Sequence, residues 1–464
     1  MSGAFPSAAY FVAASRLRPG LDGGYTVATL QRAEHLAAAG ARPTLLTFDP
    51  APVDGVLDAF AELGLASAET RMRNLFADLR ARPELVRAAA LAPFSGAEPG
   101  ERDTLVLDDA GSPLLRLPFV PAVDWHRSTA EIPVLAPDGA ALGALAGFGA
   151  LYRLWVDAVV AEEKARLGVA DAVVIVEARQ VGELLGPAPR DYALVHTVHN
   201  AHTEPPYAWD SPMDTLWSGW FEAIDSFDAV LWLTEQQRSD AARRVGERPG
   251  WGVVPHPATP PATFPDPGGR DPLLAIMIAR LSDQKQVEHA VRAWPAVRER
   301  VPGARLEVLG DGPHRAELEA LVAELGLAGA VVLRGYVPRA ADELGRAGLL
   351  VLSSRYEGQP LSILEALSAA TPVVAYDVRY GPAEMVEPGV SGALVPPGDV
   401  AALAEAVAGI LGRPERIAEL SRGAWEWARA HGVDRSMRLT AELVTAALAR
   451  RSADPTRANP ATTR

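Results

Sequence analysis

Short apolar runs alternate with patterns of helical period along most of this 464-residue chain. The first half opens with an apolar run from Ala8 to Ala14, a loop that contains Gly23-Gly24, a helical pattern and a second apolar run from Thr44 to Phe48. The second half repeats this design from Leu273 to Val395. Because a crossover helix must carry the chain between parallel strands, the alternation predicts an α/β protein with doubly wound parallel sheets.

The length of the chain predicts more than one domain, since a single hydrophobic core stops growing well below this size. We place the first domain at residues 1–255 and the second at 273–430, joined by a stretch rich in Pro and Gly. A helical pattern at 431–451 is expected to cross back to the first domain. Residues 452–464 lack periodicity and are expected to be disordered.

A change of pattern at residues 103–147 interrupts the alternation. Short apolar stretches there end in turns such as Pro137-Asp138-Gly139, which indicates antiparallel strands. We predict a β-rich insertion in the first domain, which could dock an acceptor or form an oligomer. The preceding residues 51–100, including the Arg- and Leu-rich stretch from Arg71 to Arg87, are predicted to be helical.

The composition excludes several classes of protein. The chain has no Cys, so disulfides and thiolate metal sites are impossible. Its formal net charge of −14 argues against nonspecific binding to nucleic acid. No apolar run has the length of a membrane span, and the run from Ala8 to Ala14 lacks a basic leader. We therefore expect a cytoplasmic protein without a secretion signal.

Two carboxylates, Glu357 and Glu365, stand with seven residues between them. Glu357 follows the apolar run from Gly348 to Leu352, which predicts a buried strand ending in a loop, and Glu365 lies in a helical pattern. The positive end of that helix would face the loop, which is the geometry of an anion site at the carboxyl end of a parallel strand. A solvated Glu pair at a helix start is an equally good explanation of the spacing alone.

A pair of cations follows the predicted strand from Leu273 to Ile278. Arg280 and Lys285 are five positions apart, in a loop that enters a helix. Two cations at a helix N-terminus are suited to a diphosphate. The alternative is a charge cluster that pairs with Asp283 or Glu288.

Glycines follow the next two predicted strands. Gly310-Asp311-Gly312 permits a sharp turn close to a ligand, although a lone Gly-x-Gly is a weak signal. After the strand from Val331 to Arg334 comes Gly335-Tyr336-Val337, where backbone groups could contact the edge of a base.

Taken in order, these motifs resemble those of the retaining GT-B glycosyltransferases of family 4. The resemblance covers nearly the whole chain and is most specific from Arg280 to Gly398. It implies two Rossmann-like domains that face a cleft, a hexosyltransferase activity and a nucleotide sugar as donor. The motifs that carry it are Gly23-Gly24, Arg280 with Lys285, Gly310-x-Gly312, Gly335-Tyr336-Val337 and Glu357-x7-Glu365.

A bacterial subgroup is also indicated. The stretch from Asp377 to Val386 resembles the poly(glycerol- or ribitol-phosphate) α-glycosyltransferases, which act on cell-wall teichoic acids, and the related transferases of Ser-rich adhesins. Those proteins carry a β-rich insertion in the first domain and a His-x-x-His element after a strand. Here His199-Asn200-Ala201-His202 fits best, so we assign His199 as the functional histidine and His202 as second choice. Core or turn roles are the alternative, above all for His196.

The resemblance implies a role for each charged residue. Arg280 and Lys285 would hold the nucleotide diphosphate as leaving group, in place of a metal ion, and no other cofactor is expected. Glu365 would accept hydrogen bonds from the ribose hydroxyls. Glu357 would face the transferred sugar, and His199 would complete the catalytic set.

The remaining donor contacts would come mainly from loops. The backbone N–H groups of Leu361, Ser362 and Ile363 would meet the β-phosphate. Pro360 and Leu361 stand where many relatives have Phe-Gly, which narrows the freedom of this loop. The other implied donor-binding positions are Gly23, Gly24, Gly310, Tyr336, Val337, Gly358 and Pro360.

The implied reaction moves a hexose or N-acetylhexosamine from a UDP-sugar to a hydroxyl of a wall polyol-phosphate polymer or a Ser/Thr-rich protein. A non-catalytic GT-B partner that binds glycan or acceptor protein, or a nucleotide-sugar epimerase, are the alternatives. A homo-oligomer through the insertion and a peripheral location at the inner face of the membrane also stay open.

Overall fold

The protein is described by a computed structural model that covers residues 5–20, 23–122, 124–187 and 189–453. Most of the predicted disordered tail, residues 454–464, lies outside the described residues. Residues 452 and 453 were wrongly assigned to that tail, because they continue the last helix. The Ser452 hydroxyl donates to the carbonyl oxygen of Leu448, one turn earlier, at 3.0 Å.

The strands lie, in chain order, at β1 Ala8–Ala14, β2 Thr44–Thr47, β3 Arg71–Asn74, β4 Thr104–Leu107, β5 Pro113–Leu117, β6 Glu131–Leu135, β7 Ala141–Ala146, β8 Asp171–Val176, β9 Ala193–Val198, β10 Ala229–Trp232, β11 Trp251–Val253, β12 Asp271–Ile278, β13 Arg305–Leu309, β14 Val331–Gly335, β15 Ala347–Leu352, β16 Val373–Tyr376 and β17 Gly392–Val395.

The α-helices lie at α1 Gly23–Ala38, α2 Val56–Glu62, α3 Leu75–Ala81, α4 Glu84–Arg87, α5 Gly147–Leu167, α6 Arg179–Leu185, α7 Thr215–Glu222, α8 Glu235–Val245, α9 Val287–Arg300, α10 Arg315–Glu324, α11 Leu361–Ser368, α12 Pro382–Met385, α13 Val400–Ile410, α14 Pro414–Ala430 and α15 Val433–Ala453. Short 3-10 helices lie at Trp125–Arg127, Ile224–Ser226, Pro267–Gly269 and Ala340–Arg346.

The first domain is built on a seven-stranded parallel sheet in the order β11-β10-β9-β8-β1-β2-β3. Its central strands are continuous apolar runs because helices cover both faces. The direction of winding reverses between β1 and β8, which pair with each other. In doubly wound sheets the crevice for a ligand opens at the carboxyl ends of such a strand pair.

The second domain contains a six-stranded parallel sheet in the order β14-β13-β12-β15-β16-β17. Its winding reverses between β12 and β15. The carboxyl end of β12 leads to Arg280 and Lys285, and the carboxyl end of β15 leads to Glu357. The two motifs far apart in the sequence therefore meet at one switch point.

Strands β4 to β7 form a separate four-stranded antiparallel sheet in sequence order. It spans Thr104 to Ala146, and α5 begins at Gly147. The predicted β-rich insertion at 103–147 is confirmed.

The prediction that residues 51–100 are helical was wrong for Arg71–Asn74, which forms the edge strand β3 beside β2. Alternate Arg side chains of this strand pair with α5: Arg71 lies 3.1 Å from Glu163 and Arg73 lies 2.7 Å from Glu162. These partners are about 90 positions away in the chain, so no local pattern signals them, and Arg carries little strand propensity of its own.

Two helices close the second half of the chain. Helix α14, which sequence analysis did not identify, packs against α11 and β15 and contributes Leu420 and Ala424 to the core. Helix α15 returns to the first sheet. Its residues Met437, Val444 and Leu448 join the apolar cluster that contains Tyr10 of β1.

Candidate functional site

The loops at the carboxyl ends of the two sheets meet closely. A Cβ atom added to Gly358 would lie 1.9 Å from the carbonyl oxygen of His199, so no side chain fits there. A Cβ at Gly24, near the start of α1, would lie 3.1 Å from Cδ1 of Leu361 at the start of α11. The glycine loop, the histidine element and the Glu357 loop thus line one cleft between the domains.

Lys285 and Glu357 form an ion pair at the floor of this cleft. The Lys285 Nζ lies 2.5 Å from Oε1 of Glu357, which is 5% exposed. The loop around them is held from behind, since the Gln284 side chain donates to the carbonyl oxygen of Tyr356 at 3.0 Å and the Arg355 N–H donates to that of Gln284 at 2.7 Å. Sequence analysis gave these two residues separate tasks and did not foresee their contact.

Arg280, the second cation of the predicted pair, lies at the end of β12 with an exposed side chain. Within the described ranges it forms no ion pair. Its neighbours are fixed, because a Cβ at Gly310 would lie 2.0 Å from the carbonyl oxygen of Ala279, and the Gly310 N–H donates to the carbonyl oxygen of Gly335 at 2.8 Å. An exposed, unpaired guanidinium on a rigid loop is available to an anion.

The next two predicted donor-binding residues lie beyond this loop. Tyr336, directly after β14, is 58% exposed, and Val337 packs partly against the apolar cluster of the second domain. The Tyr336 side chain is therefore accessible to a ligand.

Helix α11 presents its amino end to the same cleft. Pro360 precedes it, and the Ile363 N–H donates to the Pro360 carbonyl oxygen at 3.1 Å. The N–H groups of Leu361 and Ser362 make no hydrogen bond among the described residues, so two of the three predicted phosphate donors are unengaged.

Glu365 is half-buried on α11 and has no ion-pair partner in the described part of the chain. Burial raises the pKa of its carboxyl from 4.5 to about 7. Hydroxyl donors would stabilise the charged form of a half-buried carboxylate that has no cation beside it. Its place on α11, one turn beyond the free N–H groups, suits a group that follows the phosphates of a ligand.

On the other wall, His199 is held by a buried carboxylate that sequence analysis missed. Its Nε2 lies 2.5 Å from Oε2 of Glu177, whose other oxygen lies 2.6 Å from Nε of Arg32 on α1. Burial raises the pKa of Glu177, but Arg32 and His199 outweigh it and bring the pKa down to about 2. The anionic Glu177 accepts a hydrogen bond from Nε2–H of His199, so Nδ1 is the ring nitrogen that remains for chemistry.

A sequence signal for Glu177 did exist. It is the residue directly after β8, at the switch point of the first sheet, and it faces the helix that follows the glycine loop. An acidic residue at the carboxyl end of a switch-point strand is a site candidate even without a motif.

His196 and His202 lie in the core. His196 packs against Trp220 and Phe227, with ring centroids 5.3 and 5.2 Å away. His202 stacks on Tyr380 at 5.9 Å. Burial lowers the pKa of both imidazoles to about 3, so both are neutral at ordinary pH. This placement favours the core role for both and leaves His199 as the histidine at the cleft.

No group of three His, Asp or Glu side chains within the described ranges is arranged to hold a metal ion. That Arg280 and Lys285 act in place of a metal ion stays a prediction. Among the same residues, no helix has the length and apolar character required to cross a bilayer.

Residues 272–413 match the family model of the glycosyl transferases group 1. This stretch, which contains Arg280, Lys285 and Glu357, is a glycosyltransferase group 1 domain. One curated relative is an exopolysaccharide phosphotransferase of Streptomyces coelicolor, 35% identical over 50% of this chain and 24% of that protein. Another is the poly(glycerol-phosphate) alpha-glucosyltransferase of Bacillus subtilis, 30% identical over 41% of this chain and 28% of that protein. The chain thus spans about a quarter of the length of these two relatives.

Solved structures cover far more of the chain. A variant of S. aureus TarM, in complex with Fondaparinux, alpha-GlcNAc-glycerol and UDP, superimposes with a TM-score of 0.73, covering 94% of this chain and 99% of that one at 16% identity. The pneumococcal O-GlcNAc transferase GtfA, in complex with UDP and GlcNAc, gives a TM-score of 0.67, covering 95% and 99% at 14% identity. The predicted GT-B fold of this glycosyltransferase-like chain, two Rossmann-like domains with an added antiparallel sheet, is confirmed.

Proposed function

We propose that this protein is a retaining glycosyltransferase that moves a hexose or N-acetylhexosamine from a UDP-sugar to a hydroxyl acceptor. The observation that carries the proposal is the position of the Lys285–Glu357 pair. It lies at the switch point of the group 1 domain and directly against the His199 segment of the other domain. A cation, a buried carboxylate and an oriented imidazole thereby share one cleft.

The donor diphosphate would lie between Arg280, Lys285 and the amino end of α11. The free N–H groups of Leu361 and Ser362 would take one phosphate, and the two side-chain cations would take the remaining charge in place of a metal. A stabilised diphosphate is a better leaving group, which is the main electrostatic contribution this site can make.

The nucleoside would extend toward Glu365 and the loop of Tyr336. The ribose hydroxyls would donate to the Glu365 carboxylate, which has no competing cation among the described residues. Backbone groups near Val337 would contact the base.

Transfer would proceed on one face of the sugar. The C1–oxygen bond to the phosphate breaks, the acceptor oxygen bonds to C1, and the acceptor proton passes to the departing phosphate oxygen. Glu357 would stabilise the oxocarbenium-like centre by its negative charge. Lys285 would exchange its ion pair with Glu357 for one with the phosphate. His199, held by Glu177, would contact a sugar hydroxyl or the acceptor.

The acceptor class is proposed from the relatives. These relatives include poly(glycerol-phosphate) and poly(ribitol-phosphate) transferases and the peptide N-acetylglucosaminyltransferase GtfA subunit. We propose a wall polyol-phosphate polymer or a Ser/Thr-rich protein, reached by an enzyme at the inner face of the membrane. The exposed apolar side chains of the insertion, Leu105, Leu107 and Phe119, support its role in a homo-oligomer.

The test is nucleotide release by the purified protein. It is incubated with UDP- and GDP-sugars, each with a polyol-phosphate oligomer, a Ser-rich peptide or no acceptor. We expect acceptor-dependent UDP release with one donor and a product that keeps the α-configuration by NMR. Lys164→Ala is the matched control for Lys285→Ala, because Lys164 is the other Lys of the chain and pairs with Asp191 on the far side of the first domain. Binding without turnover for every donor would favour the non-catalytic alternative.

A further inference from the structure

The backbone of Glu357 is tied on both sides to one segment of the second domain, residues 379–384, which we call the coupling segment. The Glu357 N–H donates to the carbonyl oxygen of Arg379 at 2.8 Å, and the Tyr380 N–H donates to the carbonyl oxygen of Glu357 at 2.9 Å. A Cβ at Gly381 would lie 2.6 Å from Cδ of Pro360. The coupling segment cannot shift without moving the Glu357 loop.

The coupling segment is also bound to helix α8 of the first domain. Nε of Arg379 lies 2.7 Å from Oδ2 of Asp240, whose side chain is 4% exposed. One helical turn earlier, the carboxylate of Glu384 accepts the N–H groups of Glu235 at 2.9 Å and Gln236 at 2.8 Å. A carboxylate at the amino end of a helix interacts favourably with the helix dipole, so both charges of the segment have partners on one helix.

Between these charges, the aromatic ring of Tyr380 enters the first domain. It is fully buried and stacks on His202 with an interplanar angle of 13°. On the other side of the Glu357 loop, the Gln359 side-chain oxygen accepts the N–H of His256 at 2.7 Å. The loop is therefore fastened to the first domain on both flanks.

An ion pair between exposed side chains usually contributes little to stability. This one differs in two respects: Asp240 is buried, so the bond is charge-assisted in a poorly hydrated place, and the Arg379 backbone holds Glu357 directly. The contact between Arg379 and Asp240 needs one residue from each domain, so neither domain alone can form it.

We propose that the coupling segment makes the position of Glu357 depend on the contact between the two domains. Arg379, Asp240 and Glu384 act as positioning residues: their side chains bond across the contact between α8 and the coupling segment, and each acts through the backbone of Glu357. The catalytic meaning of the coupling rests on the proposed transferase function. In that reaction the carboxylate is in place only when α8 and the coupling segment are in contact, so donor bound to the second domain alone is not attacked.

The decisive measurement is hydrogen exchange of the peptides that span 354–361 and 378–384, in the full chain. Asp240→Ala removes a side chain of the first domain, more than 100 positions away in sequence. We expect the amides of Glu357 and Tyr380 to exchange about tenfold faster in this variant and in Arg379→Ala, because both protected bonds open when the segment loosens. The double variant should equal the single variants, since both remove one interaction.

Arg438→Ala is the control, because it breaks an exposed ion pair with Glu442 within α15. Its exchange at Glu357 should match that of the unchanged protein. Unchanged exchange at Glu357 in Asp240→Ala, with a normal melting temperature, would overturn the proposal. If Asp240→Ala fails to fold, Asp240→Asn and Glu384→Gln serve instead, and the same two peptides decide.

Activity adds a readout that a purely structural role would not move. Once a donor is known, Arg379→Ala should lower kcat about tenfold and leave the donor KM nearly unchanged, and Arg379→Lys should recover part of kcat. An equal rise in KM would contradict positioning. If no donor is turned over, the proposed function fails, while the exchange result still decides the coupling.

Discussion

Both switch points of this molecule place a buried carboxylate against a base, but the two pairs are built differently. Glu177 has two partners, Arg32 and His199, and all three belong to the first domain. Glu357 has one cation, Lys285, whose side chain is 21% exposed at the cleft. The charge of Glu177 is neutralised within the first domain, so this carboxylate can only hold its histidine in place. In the second pair Lys285 is partly exposed at the cleft, so a ligand anion can compete with Glu357 for it.

Removing the fully buried carboxylate should have the largest effect. Glu177→Ala leaves Arg32 buried without its partner, and we expect the free energy of unfolding to fall by about 3–5 kcal/mol. Denaturant titration measures this change. Glu222→Ala is the control, since Glu222 is 67% exposed in its pair with Arg127 and should change stability by less than about 0.5 kcal/mol. Equal effects of the two variants would show that burial of Glu177 and Arg32 does not increase the stability that depends on their pair.

Substitution in the Lys285–Glu357 pair should change ligand binding and not only stability. Lys285→Ala should weaken binding of UDP by about 1–3 kcal/mol through the loss of a charged contact. Calorimetry on the purified variant, with Lys164→Ala alongside, checks this. Unchanged UDP affinity would place the diphosphate away from Lys285.

Glu357→Gln keeps the shape of the side chain and removes its charge. If Glu357 acts mainly in the transition state, transfer should drop by more than about tenfold while UDP affinity changes little. Turnover and calorimetry on the same preparation separate the two quantities. A matching loss of UDP binding would mean that Glu357 already contributes to binding in the ground state.

Glu365 has no cation among the described residues and therefore extends the comparison to an uncompensated carboxyl. Its pKa in the folded state, about 7, lies above the ordinary 4.5. A raised acid pKa means that the folded protein binds the proton more tightly. The stability from this group is therefore present at low pH and is lost as the pH rises from 4.5 through about 7.

The measurement is the melting temperature as a function of pH without ligand, compared with Glu365→Gln. The unchanged protein should lose stability relative to the variant between those two pKa values. The ribose hydroxyls favour the charged form, so UDP binding should release protons near pH 7, visible in calorimetry with buffers of different ionisation enthalpy. Proton release that persists in Glu365→Gln would point to another group.

Several parts of the site were predictable because their signals are local. The apolar runs before Arg280 and Glu357 identify strands by length and composition, and the helical pattern after Pro360 identifies α11. Strand β3 and the ion pairs of its Arg side chains were missed, because their partners on α5 are remote in the chain.

The sequence by itself determined the alternation of strands and helices, the antiparallel insertion, and the kinds of charged group that follow the strands, since each depends on neighbouring residues. Only the tertiary structure decided which of those charges meet. Arg32, Glu177 and His199 come from three separate segments. Glu357 takes its cation from the loop after β12 and its backbone partners from the coupling segment. Pairing of buried charges depends on distance in space, and the packing of strands and helices within each domain sets that distance.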